Sequence, residues 1–148
     1  TPVTFNCVPQ IGRFDDSGFC TEEIKIMKET CKILRRPQLP VSAFTVRVPT
    51  LNSHAEAVWV TLEKNPQDRT EIEKCLAAAP GIEFISSNQS PGYPTQKMAS
   101  GRDPVYVGRV HRDIADPTTW LMWVVSDNLR KGAALNGIQI AEHIFDLK

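Results

Sequence analysis

The sequence predicts an α+β domain: a mixed β-sheet with helices on one face. Two features of the chain point there. Segments with apolar residues at helical spacing lie near its start, its middle and its end. Between them lie runs rich in β-branched and aromatic residues, giving the order helix, two strands, helix, three strands, helix. The 148 residues, 41% hydrophobic and 23% charged, suit one domain, residues 1–148, with a true core.

The first twenty residues, with Pro2, Pro9, Gly12 and Gly18, read as extended loop. A helix follows over 21–34, with Thr21 as N-cap and two glutamates in its first turn. Ile24, Met27, Cys31 and Leu34 share a face, and "RRP" at 35–37 ends it, because the residue before a proline is driven out of helical geometry. "VSAFTVRV" (41–48) and "AEAVWVTL" (55–62) read as strands. A second helix spans about 69–79, capped by Asp68 with Glu71 three residues on and stopped by Pro80 and Gly81. "IEFIS" (82–86) is a short strand, and 87–103 a long Ser/Pro/Gly-rich loop of the kind that often serves function. "PVYVGRVHR" and "TWLMWVVSDN" are two more strands. A closing helix over 131–145 carries Ala134, Ile138, Ala141 and Phe145 along one side. The sheet face opposite the helices then needs cover from another subunit or domain, which predicts an oligomer.

Lys+Arg and Asp+Glu number 17 each, so no net field draws in nucleic acid or an anionic membrane. The longest apolar run, 120–125, is too short to span a bilayer, and no signal-peptide pattern opens the chain. Cys7, Cys20, Cys31 and Cys75 form no CxxC pair and the three histidines are scattered, which argues against a zinc site or disulfide scaffold and fits the cytoplasm. The start "TPVTFNCVPQ", without an initiator methionine, reads as part of a longer polypeptide.

Three polar groupings can carry chemistry. If residues 50–53 form a four-residue hairpin loop, Val48 faces Ala55, Val46 faces Ala57 and Phe44 faces Trp59, making one side of the ribbon apolar. The other side then gathers Arg47, Glu56 and His54 at the loop end. An arginine fork grips a carboxylate through two parallel hydrogen bonds, and an imidazole can take and return a proton. The same residues also fit an Arg47–Glu56 surface ion pair beside a solvated His54. Glu22 and Lys25, three apart near a helix N-terminus, suit either a phosphate site or a surface pair. In "SDNLRKGAALN" (126–136), Asp127 or Asn128 can cap a helix, and Gly132 permits close approach. There is no phosphate-cradling glycine loop.

In combination these segments become specific. "FNCVPQIGRF…GFCTEEIKIMKETCKIL", "VSAFTVRVPTLNSHAEAVWV", "PVYVGRVHRD" and "WLMWVVSDNLRKGAALNGIQIAE" strongly resemble the carboxyl-terminal part of aspartate-β-semialdehyde dehydrogenases, in the family's order. The stretches at about 63–75 and 87–100 diverge.

The resemblance implies the glyceraldehyde-3-phosphate dehydrogenase-like C-terminal fold and a catalytic and dimerisation domain that follows an NADP-binding Rossmann domain. It also implies an enzyme interconverting L-aspartyl 4-phosphate and L-aspartate 4-semialdehyde, for lysine, methionine, threonine and isoleucine biosynthesis. In that chemistry a cysteine thiolate forms a thioacyl intermediate that NADPH reduces. His54 matches the acid–base histidine, Arg47 the arginine gripping the substrate α-carboxylate, and Glu22 the glutamate near its amine. Lys25 matches the lysine at the phosphate site, and Asn128 a contact to the nicotinamide end of NADP. The family's nucleophilic cysteine and glycine-rich cofactor loop match nothing here, so the chain alone is expected to be inactive. Two other readings stay open: a reductase for another acyl phosphate, such as N-acetylglutamyl phosphate, and a non-catalytic dimerisation module.

Overall fold

The computed structural model describes residues 2–147 and divides the chain into two compact units, Thr1–Thr50 and Leu51–Lys148. No helix among the described residues is long and apolar enough to cross a membrane.

In the first unit, helix α1 (Thr21–Ile33) is preceded by a loop that is broken by turns and bends and closed locally by a bridge between Phe14 and Cys20. Its N-cap is Cys20 rather than the predicted Thr21. The reason lies in Glu23, three residues after Cys20, whose Oε2 accepts the Cys20 N–H at 2.8 Å and closes the N-terminal turn. The Thr21 hydroxyl is packed over Gly12 instead. A methyl group on Gly12 would come within 1.9 Å of the Thr21 Oγ1, and Gly12 has φ +94. The predicted apolar stripe is half-buried at Ile24, Met27 and Cys31, while Leu34 is exposed. Arg35, with φ 53, leaves helical geometry two residues before Pro37.

The segment 41–48, expected to be a strand, belongs to no strand ladder. It is extended, but its only β-pairing among the described residues is a bridge between Arg47 and Val8. The Arg47 N–H donates to Val8 O at 2.8 Å, and the Val8 N–H to Arg47 O at 2.9 Å. Two residues back, the Thr45 N–H donates to Glu23 Oε1 at 2.7 Å. Alternate residues of an extended chain point their N–H groups to one edge. That edge is therefore satisfied inside the first unit.

The second unit is a four-stranded mixed sheet in the order β1-β4-β3-β2. It comprises β1 (His54–Thr61), β2 (Ile82–Ile85), β3 (Val105–Arg112) and β4 (Thr119–Ser126). β1 pairs antiparallel with β4 over its full length, from His54 opposite Ser126 to Thr61 opposite Thr119. The predicted hairpin between 41–48 and 55–62 does not form: 41–48 belongs to no strand ladder, and the edge it presents at Thr45 and Arg47 is taken by the Glu23 carboxylate and by Val8. β3 runs antiparallel to β4 and parallel to β2.

Helix α2 (Arg69–Ala78) packs on β2 and β3, capped as predicted by Asp68, whose carboxylate accepts the Thr70 N–H at 2.7 Å. The long loop holds an unpredicted short helix, α3 (Gln96–Ala99), which Thr95 caps at the Met98 N–H. Ala99 from α3 joins Ile85, Tyr106 and Val125 in the core, with Ala55 and Trp123 packed against them. The closing helix is interrupted. Arg130–Ala134 form a wide π-type turn, Ala133 departs from helical φ and ψ, and α4 (Leu135–Ile144) follows. On its predicted apolar side, Ile138 and Phe145 are exposed.

Gly108 on β3 is approached closely by Pro94 and by Ile85 of β2. A methyl group there would lie 2.7 Å from Pro94 Cδ and 3.1 Å from the Ile85 carbonyl oxygen. Gly108→Ala is expected to destabilise the fold by about 1–3 kcal/mol, seen as a lower denaturation midpoint.

Candidate functional site

The candidate side chains fall into two groups, one in each unit. In the first, α1 carries Glu22 and Lys25 one turn apart, so their side chains meet. Lys25 Nζ lies 3.0 Å from Glu22 Oε1 and 3.3 Å from Oε2. The hydrogen bond and charge of Glu22 push the Lys25 ammonium above its ordinary range. Both side chains reach solvent, at 53% exposure for Lys25 and 34% for Glu22. An open, solvent-screened pair of this kind is weak, so an incoming anion can compete for the ammonium at little cost.

Arg47 lies in the extended segment of the same unit. Its backbone is pinned by both hydrogen bonds to Val8, while its guanidinium is exposed and has no partner among the described residues. A fixed backbone with an unpaired fork is suited to a carboxylate ligand.

In the second unit, His54 opens β1, opposite Ser126 at the end of β4, and its ring is exposed. Glu56 falls on the same face of β1, two residues on, as the strand period requires. The predicted gathering of Arg47 with this pair on one ribbon rested on the hairpin. The structure instead places Arg47 in the first unit and His54 with Glu56 in the second.

Asn128 is half-buried just past β4, and its Oδ1 accepts the Ser53 N–H at 2.8 Å. Asn128 and the residue before His54 are thereby joined. This contact has no counterpart in the sequence reading.

Three further residues escaped the sequence reading as parts of the site. Ser53 is buried with φ 72, a left-handed conformation that is strained for a residue with a Cβ, and its hydroxyl has no partner among the described residues. The strain turns the chain from the loop into β1 and sets where His54 starts. Asp127 is buried, and its carboxylate accepts the Gly101 N–H at 2.7 Å, the Leu129 N–H at 2.8 Å and the Asn52 amide at 3.4 Å. The backbone bonds, that from Gly101 foremost, with those from Leu129 and Arg130, hold its carboxyl below the usual aspartate value although burial opposes them. Glu23 plays the corresponding part in the first unit. The only signals for the two acids were positional: an acid three residues after Cys20, and an Asp where a strand gives way to a helix.

All four cysteines are free thiols. Cys20 is buried at the α1 N-cap and Cys31 half-buried, whereas Cys7 and Cys75 are exposed.

Residues 1–131 match the family described as the semialdehyde dehydrogenase dimerisation domain. The chain belongs to this semialdehyde dehydrogenase family. It is 39% identical over 142 residues to the aspartate-semialdehyde dehydrogenase of Bacillus subtilis, covering 96% of this chain and 41% of that protein. To the corresponding enzyme of Legionella pneumophila it is 42% identical over 141 residues, 95% of this chain and 40% of that one. The chain thus spans about two-fifths of the length of these relatives.

Solved structures agree. Aspartate semialdehyde dehydrogenase II of Vibrio cholerae superposes with a TM-score of 0.90 at 43% identity, over 96% of this chain and 42% of that one. The same enzyme described as complexed with ASA gives 0.87 at 44% identity, over 93% and 40%. The predicted α+β class, with its mixed sheet, is therefore that of semialdehyde dehydrogenase C-terminal domains.

Because folding lowers the carboxyl pKa of Asp127, its contribution to stability is complete above the unfolded value, near 3.8, and is lost as pH falls through the folded value. Asp127→Asn is expected to lower stability at neutral pH and to flatten the acid limb of a plot of urea midpoint against pH.

Proposed function

We propose that the chain is the catalytic and dimerisation part of a cytoplasmic, NADP-dependent aspartate-semialdehyde dehydrogenase, an oxidoreductase of amino-acid biosynthesis. The reaction is the reductive dephosphorylation of L-aspartyl 4-phosphate to L-aspartate 4-semialdehyde, on the routes to lysine (through diaminopimelate), methionine, threonine and isoleucine. The observation that carries this is the match to the Vibrio cholerae enzyme, at 44% identity over 93% of the chain. It also favours the aspartyl substrate over an N-acetylglutamyl one, and an enzyme over a non-catalytic module.

On this reading Arg47 grips the substrate α-carboxylate with its unpaired fork. Glu22 meets the substrate amine, and Lys25 the departing phosphate. The charges are consistent: a zwitterion carrying a phosphate offers an anion to each cation and an ammonium to the glutamate. In the aldehyde-forming direction, the imidazolium of His54 gives a proton to the oxygen on the reacting carbon. In reverse, the neutral ring takes the proton of the attacking thiol. The backbone of Arg47, pinned to Val8 by two hydrogen bonds, supplies positioning of the kind such a reaction needs.

NADPH, when bound, supplies the hydride. The residues of this chain fit a contact at its nicotinamide end: Asn128 spends its Oδ1 on Ser53, and its amide N–H groups have no partner among the described residues. Most cofactor contacts would come from the part of the enzyme that the relatives possess beyond these two-fifths. The same holds for the nucleophile, since Cys20 is buried in a helix cap and no cysteine here has the family's context. The 148 residues alone should therefore show no NADPH-dependent turnover.

The exposed apolar side of α4 and the dimerisation-domain family together support a homodimer or higher homo-oligomer.

In the full-length enzyme, His54→Ala should lower kcat by about 10²–10⁴-fold with a smaller change in KM. Arg47→Lys should chiefly raise KM for aspartate semialdehyde, by about tenfold or more, because an ammonium cannot reproduce a two-pronged grip. Steady-state assay in the phosphorolytic direction reads both, and unchanged kinetics in the two variants would refute the assignment.

A further inference from the structure

The buried carboxylate of Glu23 does more than cap a helix. Glu23 is 4% exposed, yet it bears a charge next to two residues of the proposed substrate clasp. Its two oxygens face different parts of the chain. Oε2 accepts the Cys20 N–H at 2.8 Å, at the start of the helix that carries Glu22 and Lys25. Oε1 accepts the Thr45 N–H at 2.7 Å, two residues before Arg47, with the Thr45 hydroxyl at 3.4 Å. Thr45 Oγ1 in turn lies 3.2 Å from the Cys20 sulfur, which closes the triangle. Along the edge of the Arg47 segment, Val8 bonds residue 47 and Glu23 bonds residue 45, so the carboxylate stands where the next residue of a paired strand would be.

We infer that Glu23 is a positioning residue for the substrate clasp, its buried carboxylate locking the α1 pair Glu22 and Lys25 and the Arg47 segment into one frame. The inference rests on the substrate roles proposed above. Elementary chemistry explains why a carboxylate is needed. Two backbone N–H groups demand two acceptors about one carboxylate width apart, and charge strengthens both bonds. Glutamine offers one acceptor and turns a second donor toward an N–H. Aspartate keeps both acceptors and the charge but is one methylene short of spanning the gap. Glu23 itself touches no substrate in this scheme and acts through Arg47.

The test compares Glu23→Gln, Glu23→Asp and Arg47→Lys in the full-length enzyme. Readouts are kcat and KM for aspartate semialdehyde, the melting temperature, and hydrogen exchange at the Thr45 amide. The expected result for Glu23→Gln is a rise in KM of about tenfold with kcat within about threefold of wild type, together with faster exchange at Thr45. Glu23→Asp should give the same pattern more weakly. A loss of melting temperature with unchanged KM would make Glu23 a structural cap only and overturn the inference. So would failure of both Glu23 variants to fold. If Arg47→Lys raises KM and a folded Glu23→Gln does not, the positioning role fails while the proposed function stands. If Arg47→Lys leaves KM unchanged, the substrate roles fail, and the inference with them.

Discussion

The N–H groups of Cys20 and Thr45 in the first unit, and of Ser53, Gly101 and Leu129 in the second, are each met by a side-chain oxygen rather than by a neighbouring strand. The oxygens belong to Glu23, Asn128 and Asp127. A buried N–H left without an acceptor costs free energy comparable to a lost hydrogen bond, a demand that bears hardest on the buried Cys20 and Ser53. These contacts fall where regular structure gives out: before a helix, between an extended segment and a helix, and where β4 ends beside the start of β1. Of the residues proposed for the site, Arg47, His54 and Asn128 sit beside those irregular places, whereas Glu22 and Lys25 project from α1 itself. Fixing such a place without a ladder requires side-chain acceptors, and here two of the three are buried acids.

The β1–β4 ladder supplies the rigid base for this in the second unit. It runs without a bulge over eight residue pairs and places His54 opposite Ser126. β3 behaves differently. Between the pairs Gly108–Trp123 and His111–Leu121 it carries one extra residue, and Arg109 takes φ 54 there. The irregularity is thus confined to the interior pairing of β3 with β4, and the edge bearing His54 is spared.

Elements with a strong period were legible in the sequence. α1, α2 and the three later strands lie within a residue or two of the expected bounds, because their apolar spacing records the burial they undergo. The segment 41–48 was misread for an instructive reason. Phe44, Val46 and Val48 alternate as a buried strand face should, yet they are 79%, 39% and 40% exposed. Alternation reports an extended backbone; it does not name the partner. β4 shows the converse. "WLMWVV" hardly alternates because that strand lies between two others and is partly covered on both faces. The interruption at Ala133 follows directly on Gly132, a poor helix former inside an otherwise helical run, and α3 was hidden in a loop defined by its prolines and glycines.

The candidate site was legible through resemblance rather than through geometry. The spacing of Arg47 and His54 suggested a shared ribbon, and the ribbon does not exist, but the pairing of Glu22 with Lys25 follows from helical spacing alone. Asp127 stands out in the sequence only as a possible cap and Glu23 only as one of two glutamates in a first turn, since a buried acid and a surface acid look alike until the backbone donors facing them are known. The most direct measurement is a crystal structure of the full-length protein bound to a non-hydrolysable phosphonate analogue of aspartyl phosphate. The Arg47 guanidinium should form two parallel bonds to the α-carboxylate, with Lys25 at the phosphonate and the His54 ring within hydrogen-bond reach of the carbonyl oxygen. An analogue seated with Arg47 and His54 both still in solvent would contradict the roles assigned to them.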